Sequence, residues 1–327
     1  MLKSNRDDFK KGAQKPPSFD FSEPDFSTSL QRVRDKAQSY VSDLGLNEET
    51  RDVLFSGKML RSHLSFAAGV SLRAQNSLVE AVACSVEMVH EASLCHDDIQ
   101  DGQLERRQRP TLWKAVGINQ AINFGDLLTS LSYRPLLELK AFNSHLLVNH
   151  LNQVIGEVIR GQILEQQNLG KPISRAFYER IATLKTGALI SAGPQLICLG
   201  MGQTLAMQSV TMAFQHLSLA FQILNDLSTS SDEGLELDFR NRVFSFPFIL
   251  LQDHLHRRGM NSDLFASIPD YQKARELMLT FSIREEVQHL GLAHLRLFRE
   301  RIRQLGDDWA CLFEPLLKRH FEARLSQ

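Results

Sequence analysis

The sequence lacks an excess of charge of either sign and lacks a long apolar run. Its 37 Lys and Arg residues balance 38 Asp and Glu residues, for a formal net charge of −1. Such a balance leaves no basic field for binding nucleic acid. No stretch has the 18 consecutive apolar residues of a membrane-spanning helix, and the first residues contain no apolar core of a signal peptide. These absences predict a cytoplasmic protein with no transmembrane segment and no nucleic-acid partner.

Cysteine and proline are also scarce, and the alternating pattern of β-strands is missing. The four cysteines lack metal-ligand spacing and stand in apolar stretches, which predicts buried, reduced thiols. Only 10 prolines interrupt the 327 residues. From Ser27 onward apolar residues recur at helical spacing, and segments such as 203–224 are apolar on every side, as in buried helices. The pattern predicts an all-α bundle whose core can hold a site.

Residues 1–26 differ from the rest of the chain. They are polar, contain Pro16-Pro17 and Pro24, and lack periodicity, which predicts a flexible N-terminal arm. Residues 27–327 show no repeat of fixed period and are expected to form a single all-α domain. Within them, Gly193-Pro194 predicts a kink or break in one long helix.

An acidic cluster ends the helix predicted over 76–98. Asp97 and Asp101 lie four residues apart and share a helix face, while Asp98 is rotated by about 100°. Two carboxylates so placed repel each other unless a cation lies between them. Hard divalent ions such as Mg²⁺ bridge carboxylates to substrate phosphates, and the nearby Arg106-Arg107 pair can bind phosphate oxygens. The cluster indicates a Mg²⁺-diphosphate site, although a solvated helix end with ordinary surface charge is the alternative.

Basic residues occur at two other positions where they could grip an anion. Lys58 and Arg61 lie three residues apart at the start of a predicted helix. His90 precedes Asp97 by seven residues, or two turns on the same face, so it could reach the same pocket. Lys185-Thr186 stands inside a strongly apolar helix, where a lysine needs either a carboxylate or a ligand phosphate as its partner. We favour the phosphate.

A second group of oxygen-bearing side chains follows the buried run 203–224. Asn225, Thr229 and Glu233 are spaced i, i+4 and i+8, which places them in one stripe along two turns of a helix. All three offer oxygen atoms suited to Mg²⁺. The alternative is a Ser- and Asp-rich helix end that runs into a loop.

Taken together, these motifs resemble the trans-isoprenyl diphosphate synthases, the polyprenyl synthetase family. The resemblance covers residues from about 50 to 250, with the pieces in the family's order: Gly57-Lys58-x-x-Arg61, Glu87-x-x-His90-x-x-Ser93-Leu94-x-His96-Asp97-Asp98-x-x-Asp101 with Arg106-Arg107, Ala121-Ile122-x-x-Gly125-Asp126, Gly161-Gln162, Lys185-Thr186 and Phe221-Gln222. It implies the isoprenoid synthase fold, a helical bundle around a central apolar cavity, usually as a homodimer. It also implies three Mg²⁺ ions, with Mn²⁺ as a possible substitute, that clamp an allylic prenyl diphosphate between two acidic motifs.

The resemblance also implies roles for individual residues. Asp97 and Asp101 would hold metal, with Asp98 beside them. The allylic diphosphate would be contacted by Arg106, Lys185, Thr186 and Gln222. The isopentenyl diphosphate pocket would be formed by Lys58, Arg61, His90 and Arg107. Ala92 and Ser93 would form the floor under the prenyl chain, and because both are small, we expect a chain of about fifteen to twenty carbons or more.

The sequence departs from the family at several positions. Ser62 replaces a proline, and Gln108 replaces a glycine after the arginine pair. At the second acidic motif, Asn225, Thr229 and Glu233 are similar to the (N/D)DxxSxxxE metal motif of class I terpene cyclases. In addition, no lysine occurs between Lys185 and Lys273, where prenyl synthases carry two.

These departures decide the functional prediction. We predict a class I terpene synthase, a lyase that ionises farnesyl, geranylgeranyl or a longer prenyl diphosphate and cyclises it, with Asn225, Thr229 and Glu233 as metal ligands opposite Asp97 and Asp101. The alternative is a prenyltransferase that condenses isopentenyl diphosphate with an allylic diphosphate. A third possibility is a non-catalytic subunit of a synthase.

Overall fold

The structure of the protein is a computed structural model, and it describes residues 26–42, 50, 53–106, 109–140, 142–228, 232–260 and 264–322. The predicted arm lies outside these residues, apart from Phe26, which is buried and stacks on Phe66 with ring centroids 5.4 Å apart. Arg107 and Thr229 lie outside them as well, and the side chain of Glu233 is not described.

Nearly all of the described chain is helical, as the periodicity predicts. In order, the helices are α1 (Ser27–Ser39), α2 (Leu60–Ser71), α3 (Asn76–Gln100), α4 (Leu112–Val116), α5 (Ile118–Leu131), α6 (Arg134–Leu137), α7 (Ser144–Gln167), α8 (Arg175–Ala182), α9 (Ala188–Gly200), α10 (Thr204–Ser228), α11 (Asp232–Arg240), α12 (Phe246–Arg257), α13 (Leu264–Ser267), α14 (Tyr271–Thr280), α15 (Ile283–Leu305) and α16 (Asp307–His320). A π-helical segment, Thr183–Gly187, joins α8 to α9. The only strands in the described chain are β1 (Glu105–Arg106) and β2 (Arg109–Pro110), an antiparallel pair after α3.

The long helices α3, α9 and α10 form the centre of the bundle. Most residues of α3 and α9 are buried, because their small and aliphatic side chains leave few polar positions on any face. The main hydrophobic core extends from α1 to α10 and includes parts of α15 and α16. A second core joins α8 and α12–α15 to the last turns of α10, where Ile223 and Leu227 are buried. Since α10 contributes to both cores, they belong to one packed structure.

The helix predicted to break at Gly193-Pro194 does not break there. Helix α9 continues through Pro194 from Ala188 to Gly200. A Cβ atom at position 193 would collide with the Ser65 hydroxyl of α2, so the glycine is explained by close helix packing. The irregularity lies earlier, in the π-helical turn that carries Lys185 and Thr186. Irregular turns of this kind frequently mark functional sites.

The described helices include none that is both long and apolar enough to cross a membrane.

Candidate functional site

A cavity of about 240 Å³ lies where the C-terminal end of α3 meets α7, the π-helical turn and α10. Helix α11 and the segment before α12 complete its wall. The polar and charged residues that line it are Asp101, Glu165, Asn168, Tyr178, Lys185, Thr186, Gln222, Asn225, Asp226, Asp238 and Ser245. The cavity therefore brings together residues of both predicted acidic motifs, which are more than a hundred positions apart in the chain.

Gly161 lets α7 approach the π-helical turn closely. A Cβ atom at this position would lie 2.5 Å from the backbone nitrogen of Lys185, a distance that real Cβ contacts do not reach. The next residue, Gln162, donates from Nε2 to Oε1 of Gln100 at 2.6 Å. The Gly-Gln pair of the sequence motif thus fixes α7 against both the lysine turn and the end of α3.

Lys185 is held between two carboxylates. Its Nζ atom lies 2.5 Å from Oε2 of Glu165 and 3.9 Å from Oδ2 of Asp97. Burial opposes the charge of Lys185, but Glu165 and Asp97 outweigh that effect, so the pKa of Lys185 is raised and the side chain stays cationic. The partner of the buried lysine is therefore a carboxylate in this structure, and phosphate binding by Lys185 stays a prediction.

Acidic groups outnumber this lysine in and around the cavity. Burial, together with the nearby carboxylates of Asp101 and Glu165, raises the pKa of Asp97 to about 6. Burial also raises the pKa of Asp101. Burial, followed by Asp226, Glu165 and Asp101, raises the pKa of Asp238 to about 7. So much anionic charge in one partly buried place favours added cations, and oxygen donors of this kind suit Mg²⁺.

The described side chains by themselves do not form a complete metal cage. Within the described ranges, no group of three or more His, Cys, Asp or Glu residues has the arrangement of a metal site. This fits Mg²⁺, which is commonly held by one or two carboxylates, water and substrate phosphates.

Asp226 belongs to the second motif, but its two oxygens are both engaged by the protein. Oδ2 accepts hydrogen bonds from the Tyr178 hydroxyl at 2.7 Å and from the backbone N–H of Phe246 at 2.9 Å. Oδ1 accepts one from Nε2 of Gln222 at 2.7 Å, and Oε1 of Gln222 accepts one from the Thr186 hydroxyl at 2.8 Å. Burial nevertheless raises the pKa of Asp226 to about 6. The carboxylate ties α8, α10 and α12 together and orients Thr186.

Asp98, unlike Asp101, does not line the cavity. It is buried on the other side of α3, where Oδ1 accepts hydrogen bonds from Nε and Nη2 of Arg106 at 2.9 and 2.5 Å. The hairpin that carries Arg106 is fixed at Gln103, whose carbonyl accepts from the Thr111 hydroxyl at 2.8 Å and from the Trp113 indole at 2.7 Å. Asp98 therefore positions Arg106.

Of the residues predicted to bind a second diphosphate, the structure describes Lys58 and Arg61 at the start of α2 and His90 on α3. Ser62, which replaces the family's proline, is accommodated because its N–H and hydroxyl donate to Oε1 of Glu87 at 2.9 and 3.0 Å. A proline could not make the first of these bonds. Lys58 does not line the 240 Å³ cavity but a different one, of about 550 Å³, beside α1 and α16. Arg61 and His90 are half-buried on α2 and α3.

The two residues predicted to form the floor under the prenyl chain lie on α3. Ala92 is buried in the main core, and the hydroxyl of Ser93 donates to the carbonyl of His90 at 2.8 Å. Both side chains are small, as the prediction of a long prenyl chain requires, and the role itself stays a prediction.

Sequence reasoning missed several residues of the cavity, among them Glu165, Tyr178 and Asp238. Glu165 follows Gly161 by four residues and so lies on the same face of α7, a signal that could have found it. Tyr178 and Asp238 carried no such signal, because neither lies near a recognised motif and only the packing of α8 and α11 brings them to the cavity.

Comparison with known proteins settles the family. The family model described as polyprenyl synthetase matches residues 46–256. The chain belongs to the polyprenyl synthetase family. A short chain isoprenyl diphosphate synthase of Methanocaldococcus jannaschii is 29% identical over 180 residues, which cover 54% of each chain. A geranylgeranyl diphosphate synthase of Mycobacterium tuberculosis is 33% identical over 156 residues, covering 46% of this chain and 42% of that one. These matches span about half the length of the curated relatives.

The fold agrees with the family. The crystal structure of a polyprenyl synthase from Caulobacter crescentus, complexed with calcium and isoprenyl diphosphate, superposes with a TM-score of 0.79. The match has 22% sequence identity and covers 95% of this chain and 100% of the other. The predicted all-α isoprenoid synthase fold is confirmed.

The prediction of a terpene cyclase, and with it the lyase class, is wrong. The named relatives are prenyl diphosphate synthases, which supports the alternative of chain elongation. The cyclase prediction depended on a stripe formed by Asn225, Thr229 and Glu233. Of these, only the side chain of Asn225 is described, and it lines a cavity where Asp226 is engaged by Tyr178 and Phe246. A stripe of three residues is weaker evidence for a function than a family match over about two hundred residues.

Proposed function

We propose that the protein is a chain-elongating trans-prenyltransferase, which condenses isopentenyl diphosphate with an allylic prenyl diphosphate. The observation that carries the proposal is the cavity in which Asp101, Lys185, Thr186, Gln222 and Asn225 meet, in a chain of the polyprenyl synthetase family. Its supports are the clustered carboxylates of Asp97, Asp101 and Glu165 and the cationic lysine beside them.

In the proposed reaction, the C–O bond of the allylic diphosphate breaks and diphosphate leaves with the electron pair. The allylic carbocation is attacked by the alkene of isopentenyl diphosphate, a C–C bond forms, and a proton is lost. Charge builds up on the departing diphosphate, so preorganised cationic groups lower the barrier. Lys185 and Arg106 are the described candidates, and both are already oriented, by Glu165 and by Asp98 respectively.

Asp97 and Asp101 would hold Mg²⁺, together with oxygens of the second motif. When bound, Mg²⁺ supplies Lewis-acid stabilisation of the leaving diphosphate. The raised pKa values of Asp97 and Asp101 support this assignment, because they show that the ionised carboxylates are disfavoured, and a bound cation would stabilise them. The number of Mg²⁺ ions and the possible replacement of Mg²⁺ by Mn²⁺ remain predictions from the family resemblance.

The second substrate would bind at the start of α2, near Arg61, His90 and Lys58. The Ser62–Glu87 contact fixes the first turn of α2 against α3 and so fixes the spacing of Arg61 and His90. Ala92 and Ser93, both small, support a prenyl chain of about fifteen to twenty carbons or more. Replacing Ser93 by Phe is expected to shorten the product.

We further propose a homodimer, formed by the exposed apolar residues of α5 and α7. Ile118 and Ile122 on α5 and Ile159 and Ile163 on α7 are each about half exposed, and each pair shares a helix face. Both helices contact the end of α3, through His96 and Gln100 respectively. Exposed apolar residues so arranged are typical of a protein interface. The double variant Ile159→Asp, Ile163→Asp should sediment as a monomer, and an unchanged dimer would contradict this interface.

The two hydrophobic cores share α10, which supports a single domain for residues 27–327. Phe26, the last residue of the predicted arm, packs within the main hydrophobic core.

The decisive experiment supplies Mg²⁺ and farnesyl diphosphate with and without isopentenyl diphosphate, and analyses organic extracts before and after phosphatase treatment. Elongated prenyl alcohols that appear only after phosphatase, and only when isopentenyl diphosphate is present, are the expected result. Hydrocarbon formed without isopentenyl diphosphate would overturn the proposal, as would a complete lack of turnover with allylic substrates of every length from five to twenty carbons.

A further inference from the structure

Two histidines face each other where α10 packs on α15, away from the 240 Å³ cavity. Nδ1 of His216 and Nδ1 of His294 lie 3.2 Å apart, and the ring centroids are 5.4 Å apart at an interplanar angle of 37°. Both side chains are half-buried, so water reaches the pair. Within the described residues, neither imidazole has another hydrogen-bond partner. The two ring nitrogens are therefore directed at each other and at nothing else.

The packing of α10 on α15 holds this histidine pair from both sides. On one side, the rings of Phe214 and Phe298 pack edge to face, with centroids 5.4 Å apart. On the other side, a Cβ atom at position 291 would lie 2.6 Å from Cδ2 of Leu224, so the two helices approach closely at Gly291. Because both flanking contacts fix the helix backbones, the two Nδ1 atoms are presented together without any rearrangement of the fold.

Both imidazoles are held in the neutral form, which is the form that binds metal ions. Burial, helped by the charge of Arg301, lowers the pKa of His216. Burial, helped by His216, lowers the pKa of His294. The other charged groups that act on His294 are Arg175 and Glu179 of α8, and they form an ion pair with each other at 2.9 Å. Neither ring therefore carries a positive charge that would repel a cation at neutral pH.

The distance between the two nitrogens fits a shared metal ion. Two imidazole nitrogens that bind one Zn²⁺ ion at about 2.0 to 2.1 Å in tetrahedral geometry lie about 3.3 Å apart. The observed 3.2 Å is close to that value. A hydrogen bond from one ring to the other has a similar length. The spacing thus fits either a shared proton or a shared metal ion, and a metal can replace the proton.

We propose that His216 and His294 together bind one divalent transition-metal ion, which links α10 to α15 and takes its remaining ligands from water. No third His, Cys, Asp or Glu among the described residues completes the site. On binding, the proton on Nδ1 moves through water to Nε2 of the same ring, so that both Nδ1 lone pairs face the ion. Imidazole suits Zn²⁺, Ni²⁺ and Cu²⁺, whereas Mg²⁺ prefers oxygen ligands. The site is therefore chemically distinct from the carboxylates of the catalytic cavity, and it does not depend on the proposed function.

A metal ion in this position would stabilise the helix pair that supports the cavity. Gln222 and Asn225, which line the cavity, follow His216 on α10 by less than three turns. Because the ion requires ligands from both helices, it binds the folded chain better than the unfolded chain and raises the melting temperature.

The test titrates the full chain with Ni²⁺ at pH 7.5, in excess Mg²⁺ and without substrate, by isothermal calorimetry. His216→Asn and His294→Asn should each weaken Ni²⁺ binding at least about tenfold, since loss of a direct ligand costs no less than loss of a supporting group. His289→Asn is the matched control, because His289 is exposed on the same helix as His294, and it should leave the affinity unchanged. Equal affinity of His216→Asn and the unsubstituted protein would overturn the proposal, as would a loss in only one of the two variants.

Two further measurements keep the proposal testable if a variant folds poorly. Pulsed electron paramagnetic resonance of one equivalent of Cu²⁺ on the unsubstituted protein should detect two imidazole ligands, and a signal from one imidazole or from oxygen ligands alone would refute the site. Ni²⁺ should raise the melting temperature of the unsubstituted protein and of His289→Asn, but not that of His294→Asn. Binding that is lost in Asp97→Asn and retained in both histidine variants would place the ion on the catalytic carboxylates and refute the proposal.

Discussion

The ends of α3 and α10 are both acidic in sequence, but the protein uses them differently. At the end of α3, Asp101 lines the cavity, and both Asp97 and Asp101 are crowded by carboxylates, with Lys185 3.9 Å from Asp97. At the end of α10, the buried carboxylate of Asp226 is saturated by Tyr178, Phe246 and Gln222. The first arrangement leaves negative charge in need of a cation, and the second uses it to hold three helices together. An Asp-Asp or Asn-Asp pair at a helix end therefore does not define a metal ligand until the neighbouring elements are known.

The largest effect that tests this comparison is on catalysis. Asp97→Ala should lower kcat by at least about a hundredfold to a thousandfold, the loss that follows removal of one strong electrostatic contribution to a transition state. Initial rates of prenyl transfer measure it. Asp35→Ala, at an exposed carboxylate on α1, is the control and should keep the normal rate. A fully active Asp97→Ala protein would show that the two helix ends do not differ in this way.

The second prediction concerns the end of α10, where Asp226 should matter for the stability of the fold. Asp226→Ala should lower the free energy of unfolding by about 3 kcal/mol, because the Tyr178 hydroxyl and the Phe246 N–H would lose their buried acceptor, at about 1 to 3 kcal/mol each. Urea denaturation followed by circular dichroism measures it. Tyr178→Phe removes only one of these bonds and should cost about 1 kcal/mol. If Asp226→Ala were as stable as Asp97→Ala, the clamp assigned to Asp226 would be refuted.

The pH dependence of stability sharpens the comparison further. Burial and nearby carboxylates raise the pKa of Asp97 to about 6, from an ordinary value of 3.8. A carboxyl group with a higher pKa in the folded chain binds more protons when folded, so the unfolding free energy of the metal-free protein should fall as the pH rises from about 4 to 7. The contribution of Asp97 is about 3 kcal/mol.

Urea titrations in EDTA at pH 5 and pH 7.5 measure this slope. Asp97→Asn should flatten it, whereas Asp35→Asn should not. Mg²⁺ with inorganic diphosphate should restore stability at pH 7.5, because bound cations neutralise the same carboxylates. Stability that rises across this window in the metal-free protein would contradict the assignment.

The smallest expected effect concerns the glycine that brings α7 to the lysine turn. Gly161→Ala would place a Cβ atom 2.5 Å from the Lys185 backbone, so we expect a loss of about 1 to 3 kcal/mol from strain and a reduced kcat. Gly156→Ala lies on the same helix with no heavy atom within 4 Å of the added Cβ. It should be neutral or stabilise by up to about 1 kcal/mol, since alanine is the better helix former. Thermal melts and initial rates of both variants decide the matter, and equal behaviour would mean that close approach at Gly161 is unimportant.

Much of the fold could be predicted because it depends on local patterns. The helical periodicity of α3, the fully apolar run in α10 and the small residues of α9 all require burial in a bundle, whatever their partners are. The motifs around Asp97, Lys185 and Gln222 likewise identified the family, since their order along the chain is specific. Of the predicted kink or break at Pro194, the break does not occur, because the packing of Ser65 on Gly193 and the continuity of α9 are tertiary facts.

The chemistry of the cavity could be predicted only in part. Residue types and spacing predicted that carboxylates, a half-buried lysine and an amide would occur on helices, and hence favoured a diphosphate and a cation as ligands. Tertiary structure alone decided that Glu165 is the partner of Lys185, that Asp98 holds Arg106, and that Tyr178 and Asp238 join the cavity. The physical reason is range: helical periodicity is set by neighbours three or four residues away, whereas the role of a buried charge is set by whichever groups the folded chain brings within a few ångströms of it.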